Sequence, residues 1–551
     1  LRDFALTSFL FVVSSVFLIA NTASAQVIPP SFVLTPAGTT EGIGTSFSIT
    51  DSSYLNITLD STESVKLKLE SVPEMVTMMI WPPTFSTSST STQITLHGFQ
   101  PSTIYYRYED NYHNLTEFKS DGSGAYSYTQ DISTNHVIFI QPRHSTKFIK
   151  DDTTGGDCYL IGNWDITTKT CTLNIDLTET IQIDSDSVTL DGNGHTLTGS
   201  NTGTGVYLYG RTGVTVKNMN VQKFTLGIYL YSSIGNTLSG NTASNNAYVG
   251  IYPVFSSGNT LTNNTTANNY FGINLYSSTG NILTGNTTQE NSYYDIYVDA
   301  TADIGCDNTI TNTTGSGGRS IKYFSSAGNL RDETLSELIL CNADGSNINN
   351  IVIDSSATKK NNGLLLVRTD FSTIANVNSS SNTNGIRLSF SSNNNLNANN
   401  VSNNYSGIYL YSSGSNTITD NNASGNNTGI LVYYSSSNTI TGNTMSNNIY
   451  GTYLAYSSNN QIYKNNFISN STQANVSGGS GNVFNLALPI AGNYWSNFDT
   501  LSDGCNDANS DNFCDSPYIF YGGQDNLPWI TQDGWRVLAN QPPTISNILQ
   551  F

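Results

Sequence analysis

An acidic loop near the carboxyl end of the chain carries oxygen ligands at the spacing of a calcium-binding loop. Positions 1, 3, 5 and 9 of this loop are Asp507, Asn509, Asp511 and Asp515. Hard carboxylate and amide oxygens on a tight turn suit Ca²⁺, and Asp503 would add a further carboxylate. The loop lacks the glycine at position 6 and the glutamate at position 12 of an EF-hand. It predicts a structural Ca²⁺ site, with an acidic surface loop stapled by a disulfide as the alternative.

Tyrosines recur two and four places after a repeated glycine, in the pattern Gly-Ile-Tyr-Leu-Tyr. They are Tyr229, Tyr231, Tyr252, Tyr276, Tyr409, Tyr411, Tyr433 and Tyr453. Aliphatic residues alternate with them, so if the aliphatic side chains point inward, the tyrosines point outward. Stacked aromatic rings form a surface on which sugar rings can lie. The pattern predicts a carbohydrate-contact face, and the alternative is an aromatic ladder that only stiffens the sheet.

Carboxylates can perform general acid–base chemistry on sugars where several of them converge on the outer face of a strand. The nearest candidates are Asp295, Asp299 and Asp303, beside an irregular segment with Arg319 and Lys322 downstream. Their spacing matches no catalytic motif, and solvated turn carboxylates are the favoured interpretation. The sequence therefore assigns no catalytic residue and leaves these aspartates as candidates only.

The repeat that carries the tyrosines defines the architecture. It reads GIYLYSSIGNTLSGN from Gly227 and GIYLYSSGSNTITDN from Gly407, and in the second half the glycines from Gly363 to Gly451 recur every 22 residues. Alternating apolar residues indicate three short strands per repeat, with no room for a helix. The sequence predicts an all-β fold: a right-handed, single-stranded parallel β-helix with rungs of about 22 residues, preceded by a small β-sandwich.

Asparagines recur at one turn of each repeat. They are Asn236, Asn259 and Asn281 in the first array of repeats, and Asn416, Asn438 and Asn460 in the second. Amides stacked one rung above another can donate to and accept from their neighbours. The pattern predicts a hydrogen-bonded asparagine ladder.

The chain divides into five segments. Residues 1–25 carry an arginine, an apolar stretch and an Ala-Ser-Ala cleavage site, which is typical of a secretory signal peptide. Residues 26–150 hold spaced β-type runs and a stretch similar to the tyrosine corner of fibronectin type III domains, which predicts an immunoglobulin- or fibronectin III-like sandwich. We expect the β-helix over residues 151–485, a disulfide-stapled cap over 486–535, and a linker that begins a further domain over 536–551.

The composition limits which binding partners and which cellular compartment we expect for this chain. The formal net charge is −19 and the 21 Lys and Arg residues are spread thinly, so nucleic acid is not an expected partner. No apolar run after the signal segment is long enough to span a membrane. Six cysteines in an exported chain predict three disulfides, and proximity selects one of 15 possible pairings. The expected pairs are Cys158–Cys171, Cys306–Cys341 and Cys505–Cys514.

Several segments resemble the NosD-like parallel β-helix repeat proteins, which belong with a wider group of carbohydrate-binding proteins and sugar hydrolases. These are Asp157–Asp165, Thr189–Thr198, the glycine-led repeats, Gly492–Ser496 and Asp515–Tyr518. The resemblance covers residues 157–530. It implies the fold, whereas the group includes lyases, epimerases, binding proteins and a copper-delivery factor.

The copper role that this resemblance implies would need a cluster of soft donors. Met75, Met78 and Met79 lie together, with His97 or His113 as further donors, but all five precede the resembling region. A patch of core or interface methionines is the alternative.

These observations predict a secreted or cell-surface protein, periplasmic where the envelope has a periplasm. Its expected function is to bind a polysaccharide or cell-envelope glycan, or to act as an adhesive or structural rod. One alternative is a polysaccharide lyase, epimerase or hydrolase that acts on the β-helix face. The other is a NosD-like, copper-related periplasmic protein.

Overall fold

The computed structural model of the chain describes residues 38–82, 89–142 and 145–539. The predicted signal peptide and most of the predicted linker lie outside these residues. An antiparallel sheet domain is followed by a long parallel β-helix, so the predicted all-β architecture is confirmed.

The amino-terminal domain consists of eight antiparallel strands. They are β1 (Thr39–Ser48), β2 (Thr58–Val72), β3 (Met75–Trp81), β4 (Ser91–His97), β5 (Ile104–Glu109), β6 (Asn111–Lys119), β7 (Ala125–Asp131) and β8 (His136–Gln141). One edge of β2 pairs first with β4 and then with β3, so that all eight strands hydrogen-bond into one sheet. Ile94 of β4 and Ile138 of β8 nevertheless share a core. The domain is therefore one continuous antiparallel sheet with a core of its own, and the immunoglobulin- or fibronectin III-like sandwich stays a prediction.

The first array of the β-helix is built from three sheets, two of which are confined to it. The tyrosine sheet contains Thr146–Ile149, Thr180–Ile183, Thr204–Tyr209, Leu226–Tyr231, Val249–Val254, Phe271–Tyr276 and Tyr294–Asp299. The second sheet contains Gly162–Asp165, Thr170–Leu173, Thr189–Asp191, Thr215–Lys217, Thr237–Ser239, Thr260–Thr262, Ile282–Thr284 and Thr309–Thr311.

The third sheet of the first array, the long sheet, continues through the second array. Its 14 strands are Thr196–Thr198, Asn220–Gln222, Thr242–Ser244, Thr265–Ala267, Thr287–Gln289, Thr313–Thr314, Ser320–Phe324, Glu337–Cys341, Leu364–Val367, Asn384–Ser389, Ser406–Tyr411, Thr428–Tyr433, Tyr450–Ala455 and Thr472–Ser477.

Short strands complete the rungs of the second array, and a hairpin follows them. One sheet contains Asn329–Arg331, Asn347–Asn349, Thr373–Ala375, Asn395–Asn397, Thr417–Thr419, Thr439–Thr441 and Gln461–Tyr463. The others contain Thr334–Leu335, Val352–Ile353 and Asn378–Ser379; Asn422–Ser424, Thr444–Ser446, Asn466–Ile468 and Tyr494–Trp495; and Tyr518–Phe520 with Gly523–Asp525. Helical turns cover Cys158–Ile161, Asp303–Cys306, Ser316–Gly318, Leu501–Asp503 and Gly534–Ala539. Within the described ranges, none of these helices has the length and hydropathy to cross a bilayer.

The predicted inward isoleucines form two buried columns. In the tyrosine sheet Ile228 aligns through Ile251 with Ile273, and in the long sheet Ile386 aligns through Ile408 with Ile430. All of them are fully buried. The glycine-led strands thus belong to the tyrosine sheet in the first array and to the long sheet in the second. The change of sheet takes place over the irregular segment of residues 300–362.

Asparagine ladders run at three corners of each array, where the sequence predicted one. Asn236 donates its Nδ2–H to Asn259 at 3.0 Å, and Asn259 donates to Asn281 at 3.1 Å. Each ladder oxygen also accepts the backbone N–H of the residue one rung earlier, as Asn281 does for Asn259 at 2.9 Å. The ladders therefore satisfy the buried turn backbone that three short strands per rung leave unpaired.

All three predicted disulfides are present. Their Cα–Cα distances are 5.8 Å for Cys158–Cys171, 5.2 Å for Cys306–Cys341 and 4.8 Å for Cys505–Cys514. The second of them joins the end of the first array to the start of the second.

Candidate functional site

The amino-terminal domain covers the outward tyrosines of the first array. Tyr229 is 1% exposed and lies with its ring centroid 5.9 Å from Phe139 of β8. Tyr248 donates its hydroxyl to Glu70 of β2 at 3.1 Å, and the Tyr207 hydroxyl donates to the Asp110 carbonyl at 2.7 Å. The tyrosines point outward, as predicted, but the rings stack beneath a second domain and not against water.

The predicted open carbohydrate-contact face is therefore wrong for most of its residues. Six of them are buried: Tyr229, Tyr231, Tyr252, Tyr276, Tyr409 and Tyr433. Only Tyr411 and Tyr453 keep partial exposure. The physical reason is that outward-pointing side chains in a solenoid are exposed only where nothing packs on the sheet, which alternation within the repeat cannot indicate.

The first array ends against the side of the second array. Among the described residues, no further strand of the tyrosine sheet pairs with its last strand, Tyr294–Asp299. Instead, the N–H groups of Asp295 and Ile296 donate to the side chains of Asn362 and Glu337, at 2.7 and 3.0 Å. Glu337 belongs to the long sheet and points away from the interior of the second array, because Leu338 and Leu340 fill that interior. The interiors of the two arrays consequently form separate cores.

A cavity of about 280 Å³ lies where the two arrays and the amino-terminal domain meet. We call it the junction cavity. The amino-terminal domain lines it with Glu41 and Lys68, the first array with Asn274 and Asp299, and the second array with Arg387 and several aromatic rings. Each part of the molecule contributes at least one charged side chain, so the site exists only in the assembled chain.

Lys68 is the buried cation of the amino-terminal wall. Its Nζ lies 3.2 Å from Glu70, 3.4 Å from the Tyr252 hydroxyl and 3.9 Å from the centroid of the Tyr276 ring. Burial disfavours the charged form, but Glu70 and Asp299 outweigh this cost and raise the pKa of Lys68. Lys68 therefore stays charged.

Two carboxyl groups belong to different walls of the cavity and influence each other. Glu41 is an exposed residue, and desolvation by the neighbouring protein together with the charge of Asp299 raises its pKa to about 7. Burial also raises the pKa of Asp299, against the opposing effect of Lys68 and Arg387. At neutral pH Glu41 is thus partly protonated, whereas two cations favour ionised Asp299.

Arg387 is the buried cation of the second array and is 4% exposed. Its Nε donates to Ser389 at 3.0 Å, and its guanidinium lies 5.1 Å from the ring centroid of Tyr409 and 5.6 Å from that of Tyr297. Within the described part of the chain, no carboxylate oxygen approaches it within the 4.0 Å of an ion pair. Its Nη1 donates to the Tyr293 hydroxyl at 3.5 Å, so its side-chain hydrogen-bond partners are neutral hydroxyl groups.

Buried polar atoms without hydrogen-bond partners mark the same place. The Oδ1 atom of Asn274 lines the cavity and has no donor, although the side chain is only 2% exposed. The buried hydroxyl of Tyr276 is close enough to Glu41 to oppose the rise of its pKa but lies outside hydrogen-bond geometry. Buried polar groups are normally paired, so Asn274, which lines the cavity, suits a ligand or water there.

An aromatic rim continues from the cavity onto the second array. We define it as Phe390, Tyr411, Tyr433 and Tyr434. Phe390 and Tyr434 are each 43% exposed and have positive φ angles of 53° and 48°. Gly478 occupies the corresponding turn farther along the array. Ser412 and Tyr456 have positive φ angles at the same turn, so this conformation belongs to the repeat, and it is the exposure of the two rings that distinguishes the rim.

The three candidate aspartates have three different environments. Asp299 lines the cavity. Asp295 is fully buried and ends an asparagine ladder, accepting from Asn291 at 2.9 Å and from the Ser316 N–H at 2.7 Å. Asp303 is an exposed surface residue that pairs with Arg368 at 2.6 Å. Only Asp299 therefore remains a candidate for chemistry.

Residues that depart from the repeat are a sequence feature of this site that attention to the recurring tyrosines misses. Two places after the repeat glycine, most rungs carry an aromatic or aliphatic residue, but Asn274 and Arg387 are polar. Four places after it, Asp299 and Ser389 replace tyrosine or an aliphatic residue. These four residues line the cavity, but the polar residues Gln182 and Asn475, which also align with repeat tyrosines, do not. Glu41 and Lys68 carry no such signal, because their domain has no repeat.

The acidic carboxyl-terminal loop uses its carboxylates within the loop. Asp507 accepts the N–H groups of Asp511 and Asn512 at 2.9 and 3.1 Å, and Asp515 accepts that of Ala508 at 2.9 Å. Asp503 caps a helical turn through Thr500. Among the described residues, no three carboxylates of this loop converge within 4.8 Å. The Ca²⁺ site stays a prediction.

The fold places the chain among the parallel β-helix proteins. The NosD family, described as periplasmic copper-binding protein, matches residues 148–314 and 306–500. These matches span more than half of the sequence, so the chain belongs to the NosD family. No curated protein matches the chain in sequence.

Solved structures that resemble the chain are also β-helix proteins. A double mutant of the periplasmic alginate epimerase AlgG is 14% identical, covers 58% of this chain and 79% of its own, and has a TM-score of 0.23. The catalytic domain of a GH87 α-1,3-glucanase, in complex with tetrasaccharides, is 11% identical, with coverages of 76% and 92% and a TM-score of 0.22. The alginate lyase from Paenibacillus sp. str. FPU-7 is 12% identical, with coverages of 59% and 90% and a TM-score of 0.20. Likenesses this distant say nothing about activity.

Copper, which the family description names, does not fit the side chains of the matched region. Residues 148–500 contain one histidine, and their four cysteines form disulfides. The one trio of metal-capable side chains found among the described residues, Glu109, Asp110 and His136, lies in the amino-terminal domain. Met78 faces the core of that domain, whereas Met75 and Met79 face the tyrosine sheet. The predicted methionine cluster is thus divided between two sides of β3 and forms apolar cores.

Proposed function

We propose that this chain binds a polysaccharide outside the cytoplasm, with one sugar unit in the junction cavity and the adjoining units on the aromatic rim. The observation that carries the proposal is a cavity that brings polar Asn274 and Arg387 next to the exposed aromatic rings of the rim. Three disulfides fit an oxidising compartment.

The size and lining of the site suit a sugar. A cavity of about 280 Å³ is at the small end of ligand sites, so it suits one sugar unit and not a whole chain. Asn274 offers an acceptor, Arg387 and Lys68 offer donors, and the rim offers ring faces. Hydroxyl groups need both donors and acceptors, and the apolar face of a sugar packs on aromatic rings.

Removal of the rim tests the proposal. In the double variant Phe390→Ala, Tyr434→Ala, loss of two stacking rings should cost about 2 kcal/mol of binding free energy, or roughly 30-fold in Kd. Titration calorimetry against polysaccharides selected on a glycan array would measure it, with melting temperatures to establish folding.

Phe371→Ala is the matched control. Phe371 is 68% exposed and has a positive φ angle of 53°, but it does not line the cavity. Its removal should leave Kd unchanged. If the parent binds no polysaccharide, or the double variant binds as tightly as the parent, the proposal fails.

A further inference from the structure

A cluster of nitrogen and oxygen atoms lies in the amino-terminal domain, at the turn from β5 to β6. Glu109 ends β5, Asp110 follows it, and His136 begins β8. One side-chain atom from each of these residues lies within 4.8 Å of the other two. The Nδ1 atom of His136 is 2.8 Å from Oδ2 of Asp110 and 3.7 Å from Oε1 of Glu109. The three side chains are thus already gathered around one point.

Groups outside the cluster orient the imidazole and one of the carboxylates. The Nε2 atom of His136 is 3.0 Å from the Thr134 hydroxyl and 3.3 Å from Oδ2 of Asp131. The second oxygen of Asp110, Oδ1, accepts the Val137 N–H at 2.9 Å. A metal-binding histidine typically donates its other ring N–H to a carboxylate or carbonyl, which fixes the ring. His136 has this arrangement, with Nδ1 toward the shared point and Nε2 toward an outer carboxylate.

A buried amide lies beside the Glu109 carboxylate. Gln130 of β7 is 1% exposed, and its Nε2 donates to Oε1 of Glu109 at 3.1 Å. Among the described residues, the Oε1 atom of Gln130 has no donor. Because buried oxygen atoms normally have a partner, this amide indicates a cation or water next to the three side chains.

The charges of the cluster also favour a divalent cation. Its charged side chains are Arg107, Glu109, Asp110, Asp131 and, when protonated, His136. Three carboxylates and one guanidinium leave a net charge of −2 when the imidazole is neutral. One divalent ion offsets this charge.

We propose that Glu109, Asp110 and His136 bind a zinc ion. An imidazole nitrogen and two carboxylate oxygens are zinc ligands, whereas Ca²⁺ and Mg²⁺ take oxygen ligands and Cu(I) prefers sulfur. Ligand atoms of a tetrahedral zinc site lie about 3.4 Å apart, since each is about 2.1 Å from the ion. This spacing lies between the two contacts of Nδ1. The zinc site lies outside residues 148–500, which contain the NosD matches, and it is independent of the proposed polysaccharide binding.

Zinc takes the place of a proton. The 2.8 Å contact between Nδ1 of His136 and the Asp110 carboxylate needs a proton or a cation between the two atoms, because both carry lone pairs. When zinc binds, this proton goes to solvent and the contact opens toward the tetrahedral spacing. A water molecule completes the four ligands.

The position of the cluster gives the ion a structural role at the domain interface. The carbonyl group of Asp110 accepts the hydroxyl of Tyr207 from the tyrosine sheet at 2.7 Å. Zinc on the carboxylate of the same residue therefore fixes the turn that contacts the β-helix.

Calorimetric titration of the chelator-dialysed full chain with Zn²⁺ tests the proposal. The parent should bind one Zn²⁺ per chain, and Glu109→Gln and His136→Gln should each weaken Kd more than 100-fold. Asp131→Asn should weaken Kd about 10-fold, because the outer partner of a ligand histidine has a smaller effect. His97→Gln is the matched control, since His97 is an exposed histidine 3.6 Å from the Asp60 carboxylate, and it should bind as the parent does.

Melting curves and zinc-edge X-ray absorption distinguish the site from a general effect of the metal. Zn²⁺ should raise the melting temperature of the parent but not that of Glu109→Gln, which keeps the shape of the side chain. The absorption spectrum should show nitrogen and oxygen ligands at about 2.0–2.2 Å and no sulfur at about 2.3 Å. A parent that does not bind Zn²⁺, or that binds Ca²⁺ or Mg²⁺ as tightly, overturns the proposal. So does a sulfur ligand, a Glu109→Gln or His136→Gln variant that binds like the parent, or an equal loss in His97→Gln.

Discussion

The tyrosine sheet of the first array and the glycine-led strands of the second array carry the same repeat but have different surroundings. The amino-terminal domain buries Tyr229 of the first array almost completely, whereas Tyr453 of the second array remains half-exposed. Both tyrosines stand two places after a repeat glycine and point away from the solenoid interior. The role of an outward tyrosine is therefore decided by what packs on its sheet.

The boundary between the covered and open surfaces coincides with the junction cavity. There the repeat departs from tyrosine, and the charged residues of three parts of the molecule meet. A repeated sequence therefore has different surroundings on the two sides of this boundary.

Truncation of one tyrosine on each surface should show the largest difference. Tyr229→Ala removes a ring packed between Tyr207, Tyr252 and Phe139 and should lower the free energy of unfolding by about 4 kcal/mol. Tyr453→Ala should cost about 1 kcal/mol, because its ring is partly solvated. Chemical denaturation measures both. Equal losses would contradict the covered-versus-open comparison.

The asparagine ladders should respond alike in both arrays, because they lie inside the solenoid. Asn264→Ala and Asn421→Ala each leave a backbone N–H and a backbone carbonyl without a partner, at a cost of about 3 kcal/mol. Asn422→Ala is the matched control, since this neighbouring residue is exposed and should cost less than about 1 kcal/mol. Unequal losses for Asn264→Ala and Asn421→Ala would show that packing of the amino-terminal domain also changes the stability of the solenoid interior.

The pH dependence of stability should be the smallest effect and should arise on the covered side. Glu41 has a folded pKa of about 7, above its ordinary 4.5. Its stabilising contribution is therefore complete below pH 4.5 and is lost as the pH rises through 7. The melting temperature of Glu41→Gln should fall less between pH 5 and pH 8 than that of the parent. A parallel fall in both proteins would contradict this origin.

The sequence by itself determined the length of one rung of the β-helix and which side chains of its strands point inward. The 22-residue recurrence and the alternation of Ile228 with Tyr229 define strands with one face inward, and the six cysteines pair with near neighbours, as predicted. These features depend on contacts between one rung and the next, which a short repeat specifies completely.

Only the tertiary structure decided which outward residues remain available. Glu41 is separated from Asp299 by more than 250 residues, and no periodicity links a sandwich strand to a solenoid edge. The shift of the repeat to another sheet over residues 300–362 likewise depends on how irregular rungs close. The cavity forms from the packing of three bodies, and packing between bodies depends on whole surfaces, which local alternation and propensity do not encode.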